Sequence, residues 1–536
     1  MNTQPYYPIG IQTFRDIRDL NAVYVDKTDL VYKLTHSAKF VFLSRPRRFG
    51  KSLLCSTLQS YFEGDKELFR GLAMEQLEKE WTRYPVLRFD LSSVKSDDVE
   101  KVESNLSRQL KRHEATYGRD EECNTLSGRM ANLIEAAHRQ SGQKVVVLID
   151  EYDAPILEVI HQDEKREKIR RLLREFYSPL KESDPYLRFV FITGISMFSQ
   201  MSIFSEMNNL TIITLNSQYA PICGITRSEL LSNFKPGIEA MAAQHGCSTD
   251  EMVRRLEDMY DGYHFSENSE GLLNPFSLLN AFFEMKLGRY WFRSGTPQSL
   301  IEMLRRYKQD GEFRLGNLDN SMPIPADIFE SPLETQNGPI PLLYQAGYLT
   351  IKSYDPIGSA YVLGIPNSEV RIGLMQNLLP LFTAASASDA ANVKCTADYA
   401  SAALRQGNID EAMRQFQSML ASVPFMKGDK EILADAAKTE AHYHVLFYFF
   451  FRMLSNEVYA EVRNAVGATD VVILTPKQIY VVEIKIDSSA DAALKQIDDK
   501  GYATPYFTDG RQVIKLGINF STDTRTVDEW KQAPAN

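Results

Sequence analysis

Cysteine is scarce and scattered in this chain: five in 536 residues (Cys55, Cys123, Cys223, Cys247 and Cys395), with no CxxC pair and an odd total. That usage argues against a zinc-ribbon site or a disulfide framework and leaves buried free thiols in a reducing cytosol as the expectation. An excess of basic charge is missing too. The formal net charge of −10 argues against coating nucleic acid through overall basicity, although Arg45 to Lys51 forms a local basic stretch. The most hydrophobic run, VLFYFFF at Val445 to Phe451, falls far short of the ~20 residues that span a bilayer, so it reads as a buried helix and no membrane partner is expected. The opening MNTQPYYPIGIQTF has no basic segment followed by an apolar one. No secretory signal is visible there, and a cytoplasmic location is expected.

What is present is an ordinary globular composition, 44% hydrophobic and 24% charged, which gives no reason to expect long disorder. The length exceeds one core, and the pattern divides into three blocks: 1–223, 224–384 and 385–536. In the first, the apolar runs KFVFLS, YPVLRFDLS, KVVVLID and YLRFVFITG alternate with helical stretches, predicting a parallel sheet with helices on its faces. The second is dominated by helical segments, with a strand pair within Gly347 to Pro366. The third begins with helices and, after Asn456, turns into a compact α/β unit.

Residues 40 to 54, FVFLSRPRRFGKSLL, run from an apolar strand through Gly50-Lys51-Ser52 into an apolar helix. This is the layout of a phosphate-binding P-loop, in which free N–H groups at a helix start and the helix dipole favour an anion. Lys51 would reach the β- and γ-phosphates of ATP, and the Ser52 hydroxyl would ligate Mg²⁺. The first glycine of the usual signature is missing; Arg45 stands there, in the run Arg45-Pro46-Arg47-Arg48 before Phe49. Pro46 is a candidate for the tight turn, and the arginines are candidates for added charge on phosphates.

Roughly 100 residues on, VVVLIDEYD puts Asp150 and Glu151 at the end of an apolar strand, where ligands of parallel sheets bind. Asp150 suits direct or indirect Mg²⁺ binding, and Glu151 suits orienting and deprotonating an attacking water. The alternative is a solvated strand end that caps the next helix. The following strand ends at Thr193, a candidate for sensing the γ-phosphate.

YVDKTDLVYKL, SRPRRFGKSLL, LIDEYDAPI, FITGISMFS and FSEMNNL together resemble the AAA-ATPase-like family of prokaryotic P-loop proteins. MYDGYHF, LLNPFSLLN, YWFRSG, LLYQAGYLTIK and GIPNSEVR extend the resemblance over nearly the whole chain. An arginine-rich P-loop without its first glycine belongs to that family's pattern. The resemblance also implies that Asp26 and Lys27 lie near the nucleotide; from the residues alone, that stretch equally suits a helix cap.

At the other end, Asp470 is followed thirteen positions later by Glu483, with Lys485 at i+2 on the same strand face. Two carboxylates and a lysine there suit metal-assisted phosphodiester hydrolysis, with Asp470 and Glu483 holding Mg²⁺. A surface salt bridge is the alternative. The set resembles the PD-(D/E)XK nuclease superfamily, and the resemblance extends to Glu440 on the preceding helix and Gln496 on the following one. The turn before Asp470 reads Gly467-Ala468-Thr469, without the arginine relatives usually carry. His442 and His444, two apart on a helix, do not share a face and are left out as a metal pair.

The expectation is an α/β protein: a P-loop NTPase parallel sheet, a helical and winged-helix-like connector, and a restriction-endonuclease-like C-terminal domain. It would bind and hydrolyse ATP with Mg²⁺ and cut a nucleic acid, DNA or RNA, in a role that suits defence. The competing expectation is a non-enzymatic ATP-dependent switch or scaffold whose last domain binds nucleic acid or protein without cleavage. Assembly into a homo-oligomer is left open.

Overall fold

A computed structural model describes residues 5–94, 96–160, 162–197, 209–293, 323–326, 340–383, 389–421, 440–454, 458–464 and 467–535. The chain divides into two compact units, one of Met1–Glu312 with Met322–Asn367 and the other of Phe313–Ser321 with Ser368–Asn536.

The first unit is built on a parallel sheet of β1 (Phe40–Ser44), β2 (Val86–Asp90), β3 (Val145–Asp150), β4 (Leu187–Gly194) and β5 (Thr211–Ile212), in the order β2-β3-β4-β1-β5. The side-chain period of two sends Phe40 and Phe42, Leu87 and Phe89, and Val145, Val147 and Ile149 to one face. There they pack against helices Val99–Tyr117, Leu126–Ser141 and Asp163–Tyr177 through Leu106, Met130, Leu133 and Leu173. On the other face lies helix Lys51–Phe62, whose Phe62 ring sits 5.2 Å from Phe189. Both faces of β3 are therefore covered, which explains its unbroken apolar run. Four strands were expected here; the fifth, two-residue β5 pairs with the outer edge of β1.

The rest of this unit holds helices Arg227–Asn233, Lys235–Gln244, Thr249–Tyr260 and Pro275–Glu284 around Leu230, Ile238, Met241, Leu256 and Phe282, with Tyr7 in the same core. β6 (Ile225–Thr226) and β7 (Leu272–Leu273) form a short antiparallel pair, and β8 (Pro323–Pro325), β9 (Thr350–Asp355) and β10 (Ala360–Gly364) a three-stranded sheet with β10 in the centre.

The second unit carries a sheet in chain order: β11 (Val458–Asn464), β12 (Gly467–Leu474), β13 (Gln478–Ile486), β14 (Gln512–Ser521) and β15 (Thr526–Pro534). All pairings are antiparallel except β13 with β14, which are joined by the crossover helix Ala490–Asp499. That helix seats Ile497 against Val472, Val481 and Val513. Helix Glu440–Leu454 contains the apolar run noted above, and Leu446 to Phe451 are buried in it. Phe447 and Phe450 meet Phe416 of helix Ile409–Ala421, and Tyr443 stacks on Phe520 of β14. Among the described residues no helix is long and apolar enough to cross a membrane.

Candidate functional site

The loop after β1 turns into helix Lys51–Phe62 at Gly50, whose φ of 94° is a left-handed conformation that favours glycine. No side chain caps that helix, so its first-turn N–H groups remain available to an anion. Lys51 is buried, and its ammonium donates to the carbonyl oxygens of Arg45 (3.0 Å) and Pro46 (3.1 Å). Beside it, Ser52 is close enough to the Asp150 carboxyl at the end of β3 to act on its titration. Burial pushes the Asp150 carboxyl above its ordinary value, while Ser52 and the Lys51 charge oppose the shift. Arg88 stands 3.9 Å from Asp150 Oδ2, whereas Oδ1 is buried and accepts no hydrogen bond among the described residues.

Glu151 follows with a φ of 50°, half-buried, and lines the same cavity as Gly50, Lys51 and Ser52. The cavity holds about 390 Å³. Lys27, Arg47 and Arg48 also line it, as do apolar side chains from three separate segments, among them Ile9, Val23, Val25, Phe276 and Leu279. Arg48 lies over the Phe276 ring at 4.8 Å. Lys27 is held at 2.6 Å by both carboxylate oxygens of Glu229, which also closes a capping box with Thr226.

In the second unit, β12 pairs with β13 as Val471↔Val482, so the same register carries Asp470 opposite Glu483. Asp470 Oδ2 accepts from the Ile484 N–H at 2.7 Å and lies 3.4 Å from His444 Nε2. Lys485 Nζ donates to Glu483 Oε1 at 2.9 Å. Glu483 is 1% exposed, and its Oε2 accepts no hydrogen bond among the described residues. Burial, reinforced by the Asp470 charge, pushes the Glu483 carboxyl up to about 7, against the opposing Lys485 and His444. Among the described residues no group of three or more His, Cys, Asp and Glu side chains is gathered to hold a metal. The carboxylate pair is present; the side chain of Glu440, the expected third acid, lies outside the described residues.

Comparison with known proteins agrees with both geometries. A family model for a predicted AAA-ATPase matches residues 8–204, and one for the PD-(D/E)XK nuclease superfamily matches residues 438–530. A relative from Azotobacter chroococcum mcd 1, named "Uncharacterized protein in vnfD 5'region", is 34% identical over 527 residues, covering 97% of this chain and 97% of its own. The chain belongs to the AAA-ATPase-like family and carries a PD-(D/E)XK nuclease superfamily domain.

Within the AAA-ATPase-like domain, the expected residues divide by what they touch. Arg47, Arg48, Phe49, Gly50, Lys51, Ser52, Glu151 and Lys27 line one cavity, with Asp150 near Ser52. Phe49 is fully buried, and its ring meets Tyr263 and Phe265. Pro46 is buried beside Gly347, where a Cβ would come within 2.7 Å of it. Three other side chains point elsewhere. The Arg45 guanidinium donates to the carbonyls of Ser44, Thr214, Tyr219 and Ala220 and stacks on Phe265, so it anchors the loop from behind in place of the phosphate contact expected of it. Burial lowers its pKa to about 10, which leaves it charged near neutrality. The Thr193 hydroxyl donates to the Leu43 carbonyl across the sheet. Asp26 accepts from Thr28 and from the Ala73 N–H, so it caps helices, the alternative already open in the sequence.

In the PD-(D/E)XK domain, Asp470, Glu483 and Lys485 converge, and Gln496 is half-buried on the crossover helix. The sequence reading passed over His444 by testing it only against His442. Its spacing of four from Glu440 was the available signal. Asp153 and Glu229 were also missed: their partners lie 42 or 43 and 202 residues away in sequence.

Proposed function

We propose that this chain hydrolyses ATP in its AAA-ATPase-like domain and cleaves phosphodiester bonds of a nucleic acid, with metal, in its PD-(D/E)XK domain. One observation, present at both sites, carries the reading. A lysine sits near a buried carboxylate with one oxygen that accepts no hydrogen bond among the described residues, Asp150 Oδ1 near Lys51 and Glu483 Oε2 near Lys485. A buried carboxylate oxygen without a donor is costly unless a cation or proton completes it, so both donor sets fit Mg²⁺ or Mn²⁺. When bound, such an ion neutralises phosphate charge and polarises a water.

In the first domain, the Lys51 ammonium exchanges the Arg45 and Pro46 carbonyls for the β- and γ-phosphates, and the first-turn N–H groups of helix Lys51–Phe62 hold the phosphate chain. The apolar part of the cavity, with Ile9, Val25 and Phe276, suits the base. Glu151 orients a water and takes its proton as the oxygen bonds the γ-phosphorus; the bond to the bridging oxygen breaks and ADP leaves. In the second domain, Asp470 and Glu483 supply acidic oxygens, and Lys485 stabilises the negative charge on the non-bridging phosphate oxygens. As the water oxygen bonds phosphorus its proton passes to solvent, the bond to the strand's leaving oxygen breaks, and that oxygen takes a proton from solvent. The domain division 1–223, 224–384 and 385–536, a cytoplasmic location, control of cleavage by ATP, and a role in defence complete the proposal. The test is paired assays on the full chain, ATP hydrolysis with Lys51→Ala and Glu151→Gln, and DNA and RNA cleavage with Asp470→Ala and Lys485→Ala. Normal rates in the variants overturn the respective half.

A further inference from the structure

Glu151 sits in the left-handed region, which is unfavourable for a non-glycine residue and persists only where surroundings impose it. The residues that follow Glu151 are tied to the end of the neighbouring strand β4. Asp153, 1% exposed, accepts from the Ile195 N–H (3.1 Å), the Ser196 N–H (2.7 Å) and the Ser196 hydroxyl (2.5 Å). Tyr152 adds two bonds, from its N–H to the Thr193 carbonyl (3.1 Å) and from its hydroxyl to the Ser196 carbonyl (2.7 Å). The two segments lie so close that a Cβ on Gly194 would clash with Asp153 Oδ1 and the Tyr152 ring. Three consecutive residues thus divide their tasks: Tyr152 and Asp153 are buried anchors, and Glu151 alone lines the cavity.

We propose that Asp153 is a positioning residue for Glu151. By fastening the turn after β3 to Ile195 and Ser196, it fixes the direction in which the Glu151 carboxylate meets the water that attacks the γ-phosphate. The inference rests on the ATPase reading of Glu151 above. Asp153 does not line the cavity; it acts through the turn. A base displaced by about 1 Å loses on the order of a hundredfold in rate while binding is kept.

The experiment uses the full chain with Asp153→Asn, Glu151→Gln and the double variant. It reads mant-ATP affinity and the kcat and KM of ATP hydrolysis. Asp153→Asn keeps the shape but places an NH₂ where an acceptor is needed. It should bind mant-ATP like the parent and lose kcat by about ten- to a hundredfold at unchanged KM. In the Glu151→Gln background it should cost nothing further, because a positioning residue has no effect once the group it positions is gone. An equal loss in both backgrounds, or a parental kcat in Asp153→Asn, overturns the proposal and leaves the ATPase reading standing. A parental rate in Glu151→Gln overturns that reading and the proposal with it. Should Asp153→Asn not fold, Ser196→Ala removes one donor only and should lower kcat several-fold in the parent and not in Glu151→Gln; equal effects again overturn it.

Discussion

The Arg45 guanidinium lies 4.1 Å from the centre of the Phe265 ring, buried, with its N–H groups on four backbone carbonyls. A residue that reads in sequence as a defect in a phosphate loop is thus a bolt behind it. Arg45→Ala leaves buried carbonyls unserved and should cost about 3 kcal/mol of stability in urea unfolding of the first unit. Arg45→Lys should recover little, since one ammonium cannot match a planar fork with a ring beneath it. Lys51→Ala frees two carbonyls where Arg45→Ala frees four, and should cost less in the same unfolding.

Lys51→Ala should instead abolish nucleotide binding, because its ammonium is the charge the loop aims at the phosphates. Glu151→Gln should keep mant-ATP affinity and lose at least ~100-fold in hydrolysis, the usual scale for a missing general base. Stopped-flow binding and phosphate release separate the two effects.

How much of this was legible in the sequence depends on the reach of each interaction. β1, its loop and helix Lys51–Phe62 form one contiguous run, and β3 is unbroken apolar chain ending in Asp150, so the sequence pattern identified them. The hairpin of β12 and β13 was equally local, and Asp470, Glu483 and Lys485 could be placed on its two strands, while the register came from the fold. β5 has two residues and no pattern to read, while β15 (TVDEWKQAP) is largely polar because it is an outer strand of its sheet. The roles of Arg45, Lys27 and Asp153 depend on partners at Thr214, Glu229 and Ser196, which only the fold brings near. Thr193 shows the converse: a strand-end threonine offered a sensing role, and the sheet put its hydroxyl on Leu43.

Glu483 carries a pH signature. Its carboxyl titrates at about 7 in the metal-free protein, raised above the ordinary carboxylate range by burial and by Asp470. A metal binds the deprotonated form, so below about 7 binding must first release that proton, and above it none. Mn²⁺ affinity at this site, measured by calorimetry with Asp150→Asn to remove the acidic oxygens of the first domain, should climb with pH up to about 7 and level off beyond. In Glu483→Gln the affinity should be weak throughout and lose that dependence.

Lys485→Ala should leave Mn²⁺ binding in place, since both carboxylates remain, and lower cleavage by about 10²- to 10⁴-fold, the range for losing a group that acts on the transition state. Equal losses of metal and cleavage would instead make Lys485 a structural partner of Glu483.

The central claim is that one chain carries two separate phosphate-cleaving sites. Its most direct test is cleavage of labelled DNA and RNA by the full chain with Mn²⁺, comparing the parent with Asp470→Ala while ATP hydrolysis is followed in the same tube. The account predicts cleavage by the parent and none by Asp470→Ala, with ATP hydrolysis unchanged between them. Cleavage by Asp470→Ala at the parental rate, or no cleavage by the parent on either nucleic acid, would contradict it.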